Sequence, residues 1–315
     1  MGAPASKGNN MATLDTVWVD LLGTSFEQRF YDVDGVRTRS IEAGEGPPII
    51  FLHGGGGHAE TWIRNLGPHS SDRRCYAIDM LGHGFTDAPE NSSYTTAEVL
   101  DHVVRFLDAA GIERADFCGE SFGGRISAWM AIKHPDRVNK LILNTSGGLP
   151  ATEDRQADDV RDLLARTTAS LQQTSDEAVR SRIAWLFADP AQVPEEFVRI
   201  RQAIYARPGI KNSLTKLFSR IFDPEDARNY WLTPERLAGI SAPTLVIWSD
   251  HNPIHSYEDA RKGFSYIPDV RFHLIRQAAH WPQFEQPEEY NRVQMAFLRE
   301  DSVNYVQTAL ATSTG

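Results

Sequence analysis

The residues of this 315-residue chain best placed for chemistry are Gly119-Glu120-Ser121-Phe122-Gly123. They lie between an apolar run ending at Gly119 and an amphipathic stretch that begins just after Ser121 and ends before Pro135. A G-x-S-x-G pentapeptide between a strand and a helix folds as a tight turn that exposes the serine hydroxyl. A serine hydroxyl is a weak nucleophile near neutral pH and needs a positioned base, which in turn needs an orienting group. His280, in Ala278-Ala279-His280-Trp281, is the best base because it follows the last strand candidate after a short loop. His69, His102, His134 and His273 have no such motif around them and read as surface or strand residues.

A second loop, His53-Gly54-Gly55-Gly56-Gly57-His58, also follows a strand candidate. Its glycines let backbone N–H groups face a cavity, so the Gly55 and Phe122 amides are expected to form an oxyanion hole, with Gly54 and Gly56 against the substrate. The loop lacks the lysine of a phosphate-binding G-x-x-x-x-G-K-[ST] motif. Possible metal ligands bunch in Asp250-His251-Asn252-Pro253-Ile254-His255, but Pro253 opposes a continuous helix that would put both histidines on one face. No metal and no cofactor is expected.

The elements that must position these residues are visible as short apolar runs alternating with helical segments: Pro47–His53, Arg74–Met80, Ala115–Gly119, Leu141–Thr145, Thr244–Asp250 and Arg271–Arg276. That alternation predicts an α/β fold, a mostly parallel sheet with helices on both faces. Thr95 and Glu98 stand at capping-box spacing before a helix that ends at Gly111. Between Pro150 and about Trp231 the strand signals vanish into charged, proline-punctuated sequence containing Trp185, Phe187, Phe197, Tyr205 and Phe218. The expected organisation is a loose arm over 1–16, a core over 17–150 and 232–300, a helical lid over 151–231 and a flexible tail over 301–315.

Composition removes other classes. There are 32 Lys and Arg against 42 Asp and Glu, a formal charge of −10, so nucleic acid is not an expected partner. No apolar run approaches the roughly 18 residues of a membrane span. Only Cys75 and Cys118 occur, both in apolar stretches, and the N-terminus lacks the pattern of a secretion signal, so a reduced cytoplasm is expected.

The HGGGG loop, Asp79-Met80-Leu81-Gly82-His83-Gly84, the Ser121 elbow with Gly124, Pro135-Asp136-Arg137, the helical insertion and His280-Trp281 together resemble the α/β-hydrolase superfamily, from about Phe30 to Arg299. Within it the chain looks like the meta-cleavage-product hydrolases, which split carbon–carbon bonds in 2-hydroxy-6-oxo-dienoates. The likeness rests on Ser146-Gly147-Gly148-Leu149, on His280-Trp281 followed by Gln283 and Glu285, and on Glu196–Pro208. It implies a small-molecule substrate whose carboxylate end is bound by Arg201 and whose organic body is covered by Trp281 and by lid aromatics such as Trp185. A homodimer or tetramer is left open.

Two positions depart from the family. Glu120 stands where the family has asparagine before the nucleophile, and Asn252 stands where the superfamily places the triad acid. The nearest carboxylate is Asp250. Either Asp250 orients His280 through a shifted loop, or Asn252 does so without charge, or the chain carries a substitution at this position; Asp250 is slightly favoured because it alone is charged. The alternatives to carbon–carbon hydrolysis are a carboxylesterase or lactonase acting on a neutral ester, and a non-catalytic ligand-binding relative.

Overall fold

The computed structural model describes residues 16–150 and 154–301, together with Tyr305. The arm and tail expectations therefore lie outside the described residues, apart from Thr16, Asp301 and Tyr305. Eight strands form one sheet: β1 Phe26–Val33, β2 Val36–Ala43, β3 Pro48–Leu52, β4 Arg74–Ile78, β5 Ala115–Glu120, β6 Val138–Asn144, β7 Thr244–Ser249 and β8 Val270–Ile275. Their spatial order is β1-β2-β4-β3-β5-β6-β7-β8, with β1 and β2 antiparallel and the remaining six parallel. Strands β3, β5 and β7 are buried on both faces apart from the first residue of β3, which is why they read as continuous apolar runs rather than as alternating ones.

The six expected strands are present within three residues of their expected ends, but β1 and β2 were not anticipated. Strand β1 is an edge strand that exposes Phe26, Gln28, Arg29 and Asp32, so it lacks an apolar run. The Asp34-Gly35 turn, with both residues at positive φ, was the available hairpin signal.

The helices are α1 Ile63–His69, α2 Thr96–Ala109, α3 Phe122–Lys133, α4 Asp154–Gln173, α5 Asp176–Ala184, α6 Glu195–Tyr205, α7 Ile210–Ile221, α8 Pro224–Tyr230, α9 Pro234–Leu237, α10 Tyr257–Phe264, α11 Pro282–Glu285 and α12 Pro287–Arg299. Thr95 caps α2 by accepting the Glu98 N–H, and the Glu98 carboxylate reaches back to accept the N–H groups of Ser93 and Tyr94. Helices α4 to α8 make up the insertion that follows β6, and α9 lies between it and β7. The insertion is tied to the core by Phe187 and Phe197, whose rings pack edge-on and tilted against Trp281 and Phe284. No described helix is long and apolar enough to cross a membrane.

A buried ion network holds the loops after β3 and β4 together. Arg39 bonds Glu60 at 2.6 Å and Asp79 at 3.1 Å, and Asp79 also accepts the N–H groups of Ala59 and Phe85, each at 2.7 Å. A Cβ on Gly84 would stand 2.1 Å from the Asp79 carboxyl carbon, so the close approach requires glycine there. Both acids of the network are consumed by structure.

Burial also keeps several histidines neutral. Desolvation pulls His53, His69 and His102 down to about 4, and lowers His58 and His83 as well. His102 shows why a second proton is unwelcome: its Nε2 meets Thr38 Oγ1 at 2.9 Å while Nδ1 is buried without a partner. A folded-state pKa below the unfolded one contributes stability that is present above about pH 6.5 and lost as pH falls toward 4. Each such group is worth up to roughly 3 kcal/mol, against a total on the order of 5–15 kcal/mol. Urea unfolding monitored by tryptophan fluorescence is expected to show stability falling by several kcal/mol between pH 6.5 and 4.5; a flat profile over that interval would contradict the assignment of neutral buried histidines.

Candidate active site

Ser121 sits at the junction of β5 and α3 with φ 53° and ψ −114°, a strained conformation for a residue with a side chain. The turn is tight enough that a Cβ on Gly119 would lie 2.2 Å from the Gly123 carbonyl oxygen, and one on Gly123 would lie 2.2 Å from that of Leu52. The Ser121 carbonyl accepts from the N–H groups of Gly147 at 2.8 Å and Arg125 at 3.1 Å, and its own N–H donates to Asn144 at 3.1 Å. These bonds hold the elbow on the sheet, and Ser121 borders a cavity of about 370 Å³.

His280 borders the same cavity and is buried. Its main chain is fixed by an N–H bond to Leu186 in the insertion and by the Thr145 hydroxyl on its carbonyl. Its ring Nδ1 lies 2.7 Å from Asn252 Oδ1, while Asn252 Nδ2 donates to the His255 carbonyl at 3.2 Å. The second bond fixes the amide, so Oδ1 accepts and His280 Nδ1 carries the ring proton. The favoured Asp250 is therefore not the orienting group. The loop after β7 is pinned by N–H bonds from Asp250 to Ile275 and from His251 to Ala278, and the Asp250 carboxylate turns to His251 Nδ1 at 2.7 Å and the Ala278 N–H.

On the other side of the ring, His280 Nε2 lies 3.3 Å from Glu120 Oε1. Glu120 is buried, and desolvation pushes its carboxyl up to about 8 although it accepts the Gly54 N–H and the Trp281 indole N–H. Burial, together with the charge of Arg182, pulls His280 down to about 3. Both shifts favour a neutral pair, a carboxylic acid facing an unprotonated Nε2. Glu120 thus adds no negative charge to the cavity at neutral pH.

The loop after β3 is shaped by His53, whose Nε2 accepts the Met80 N–H at 3.1 Å and whose Nδ1 meets the Gly54 carbonyl at 2.8 Å. Gly54, Gly55 and Gly57 border the cavity; Gly56, expected against the substrate, instead lies under the Phe218 ring and is absent from the cavity wall. Phe122 is the first residue of α3, so its N–H has no partner within the helix and shares the positive end of the helix dipole. Gly55 and Phe122 border the same cavity as Ser121.

Arg201, Trp281 and Trp185 all border the cavity, and the Trp185 ring centroid is 6.3 Å from that of His280. Sequence reasoning missed Arg125 and Arg182, which border it too. An arginine four residues after the elbow serine was the available signal for Arg125, since that spacing returns to the same helix face. Nothing in the sequence singles out Arg182. The rest of the wall is mostly apolar, with Leu163, Leu186, Phe218, Ile221, Phe222 and Trp231 from the insertion and its edge, and it includes His255. Among the described residues there is no group of three or more His, Cys, Asp or Glu able to hold a metal.

Comparison with known proteins agrees with this architecture. Residues 47–287 match the alpha/beta hydrolase fold family. The chain is 30% identical over 272 residues to a 2-hydroxymuconate semialdehyde hydrolase from Pseudomonas putida, covering 84% of this chain and 92% of the relative. It is 32% identical over 267 residues to a 2-hydroxy-6-oxo-6-phenylhexa-2,4-dienoate hydrolase from Comamonas testosteroni, covering 82% and 90%. A solved meta-cleavage product hydrolase from Pseudomonas fluorescens IP01 superposes with a TM-score of 0.74 at 26% identity, covering 86% of this chain and 97% of that one. The chain belongs to the α/β-hydrolase family and is a hydrolase of that superfamily, its likeness there being to the meta-cleavage-product hydrolases.

Proposed function

We propose that this protein is a serine-dependent carbon–carbon hydrolase acting on a 2-hydroxy-6-oxo-dienoate-type product of aromatic ring cleavage. The observation that carries the reading is that Ser121, His280 and a buried Arg201 border one largely apolar cavity, so nucleophile, base and carboxylate anchor face a single substrate. The hydrolase activities for which the relatives from Pseudomonas putida and Comamonas testosteroni are named support the same chemistry. An arginine fork suits a planar carboxylate, and the apolar wall suits the rest of a conjugated chain.

In this scheme the keto form of the substrate lies with its carboxylate on Arg201 and its reacting carbonyl over Ser121. The Glu120 hydroxyl turns from Nε2 toward the substrate, Ser121 Oγ bonds to the carbonyl carbon as its proton passes to the freed His280 Nε2, and the Gly55 and Phe122 amides hold the oxyanion. The carbon–carbon bond then breaks with its electron pair on the departing carbon, which takes the proton of Glu120. The imidazolium and the new carboxylate 3.3 Å apart form an ion pair, and the imidazolium proton moves to Glu120 to restore it. Water, deprotonated by His280, releases the acid, and the proton returns to Ser121. Asn252 holds the tautomer throughout without supplying charge. The scheme needs no cofactor.

A neutral-ester substrate remains the second reading, favoured by the apolar wall. The Ser121→Ala protein is expected to lose at least about 10³-fold in kcat on a coloured dienoate and to resist labelling by a fluorophosphonate; full turnover would eliminate the scheme. Arg201→Ala should raise KM for the dienoate roughly 10- to 100-fold while sparing a p-nitrophenyl ester, the size of one charge-assisted contact. Equal losses on both substrates would favour the ester reading.

Glu120 and Asn252 separate by substrate. Glu120→Gln removes the proton donor and should lower kcat on the dienoate about 10²- to 10⁴-fold, with a far smaller loss on p-nitrophenyl acetate, whose leaving group needs no proton. Asn252→Ala should damage both. For the unaltered enzyme kcat/KM on the dienoate is expected to fall as pH rises through about 8, where Glu120 loses its proton. A profile that rises there would reverse the assigned role.

A further inference from the structure

Three arginines, Arg125, Arg182 and Arg201, border the cavity and are buried. Among the described residues none has a carboxylate within ion-pair distance, and each leaves at least one guanidinium nitrogen buried without a partner: Nε and Nη1 of Arg125, Nη1 of Arg182, Nε of Arg201. Such groups are costly to leave unpaired. The carboxyl that shares the wall with them, Glu120, is held neutral by burial, so the cavity is strongly cationic inside a chain whose formal charge is −10.

The arginines are not gathered at one point. The charges of Arg182 and Arg201 both act on Glu120, that of Arg182 also on His280, and that of Arg201 on His53 and His58, so this pair surrounds Glu120. Arg125 stands in the first turn of α3, with its Cγ 3.2 Å from where a Cβ on Gly148 would be, so it flanks the segment after β6. The charge of Asp226 acts on Arg125, and the Asp226 carboxylate accepts the Thr96 hydroxyl at 2.8 Å. Burial lowers Arg125 to about 10, which leaves it cationic at neutral pH.

We infer that Arg125 forms a second anion subsite across Ser121 from Arg201 and Arg182, and that the natural substrate is a dianion with a second carboxylate on the group released as the acid. This inference rests on the proposed use of the cavity as a substrate site and narrows it, since the relatives from Pseudomonas putida and Comamonas testosteroni are named for substrates without a second carboxylate. With one carboxylate at each end, the reacting carbonyl is centred over Ser121 by two charge-assisted anchors rather than by one anchor and apolar contact.

The test separates this subsite from the reaction. Binding of glutarate, adipate and pimelate is measured by calorimetry on the Ser121→Ala protein and compared with hexanoate. At least one diacid should bind at least 10-fold more tightly than hexanoate. Adding Arg125→Met should bring that diacid to the hexanoate level, and Arg125→Lys, which keeps the charge, should restore part of the preference and report on folding. Diacids binding no better than hexanoate, or a preference that survives Arg125→Met, overturns the inference. A diacid preference lost in Arg125→Met, in an enzyme that turns over no dienoate of either charge, would retain the subsite and discard the carbon–carbon chemistry.

Discussion

The site depends on how one buried imidazole is held. His280 meets an amide oxygen at Nδ1 and a carboxyl at Nε2, and neither group is charged at neutral pH as the cavity stands. In the usual triad a buried aspartate both orients the ring and stabilises the imidazolium. The proposed scheme divides the two tasks. In it Asn252 orients the ring through Nδ1, while Glu120 provides a proton and then, once it has given that proton up, the counter-charge. The division is physically coherent because a fixed anion in a cavity proposed to admit an anionic substrate would oppose binding.

The scaffold makes that arrangement rigid. Ser121 is locked by three backbone bonds to neighbouring elements, and His280 is tied both to the insertion through Leu186 and to the end of β6 through Thr145. The loop bearing Gly54 is braced by a neutral His53 and by the Arg39–Glu60–Asp79 network beneath it. Glu120 then links two of these loops, since it accepts from Gly54 on one and Trp281 on another while preceding Ser121 in the chain. A change at any of these contacts displaces groups that must meet within a few tenths of an ångström.

Much of this was legible in the residues. The elbow, the glycine loop and His280 were visible because each is a local motif with its own backbone requirement, and the parallel strands were visible because full burial writes an apolar run. Strands β1 and β2 were not: β1 exposes half its side chains at the sheet edge, and β2 buries Thr38, Arg39, Ser40 and Glu42, polar residues that write no apolar run. The choice between Asp250 and Asn252 depended on two loop bonds to the segment 275–278, a long-range constraint with no local signature, and charge was the wrong guide. Glu120 was recognised as a departure, yet its protonation follows from burial that only the fold supplies. Arg182 was invisible for the same reason, since an arginine in a charged helix reads as solvated until tertiary packing buries it.

The protonation state of Glu120 is the point on which the account turns most directly. Infrared difference spectroscopy between the unaltered protein and Glu120→Gln isolates the carbonyl stretch of that one side chain. A protonated-carboxyl band present at pH 7 and lost on titration through about 8 is the predicted result. An ionised carboxylate signature at pH 7, unchanged down to pH 5, would contradict it.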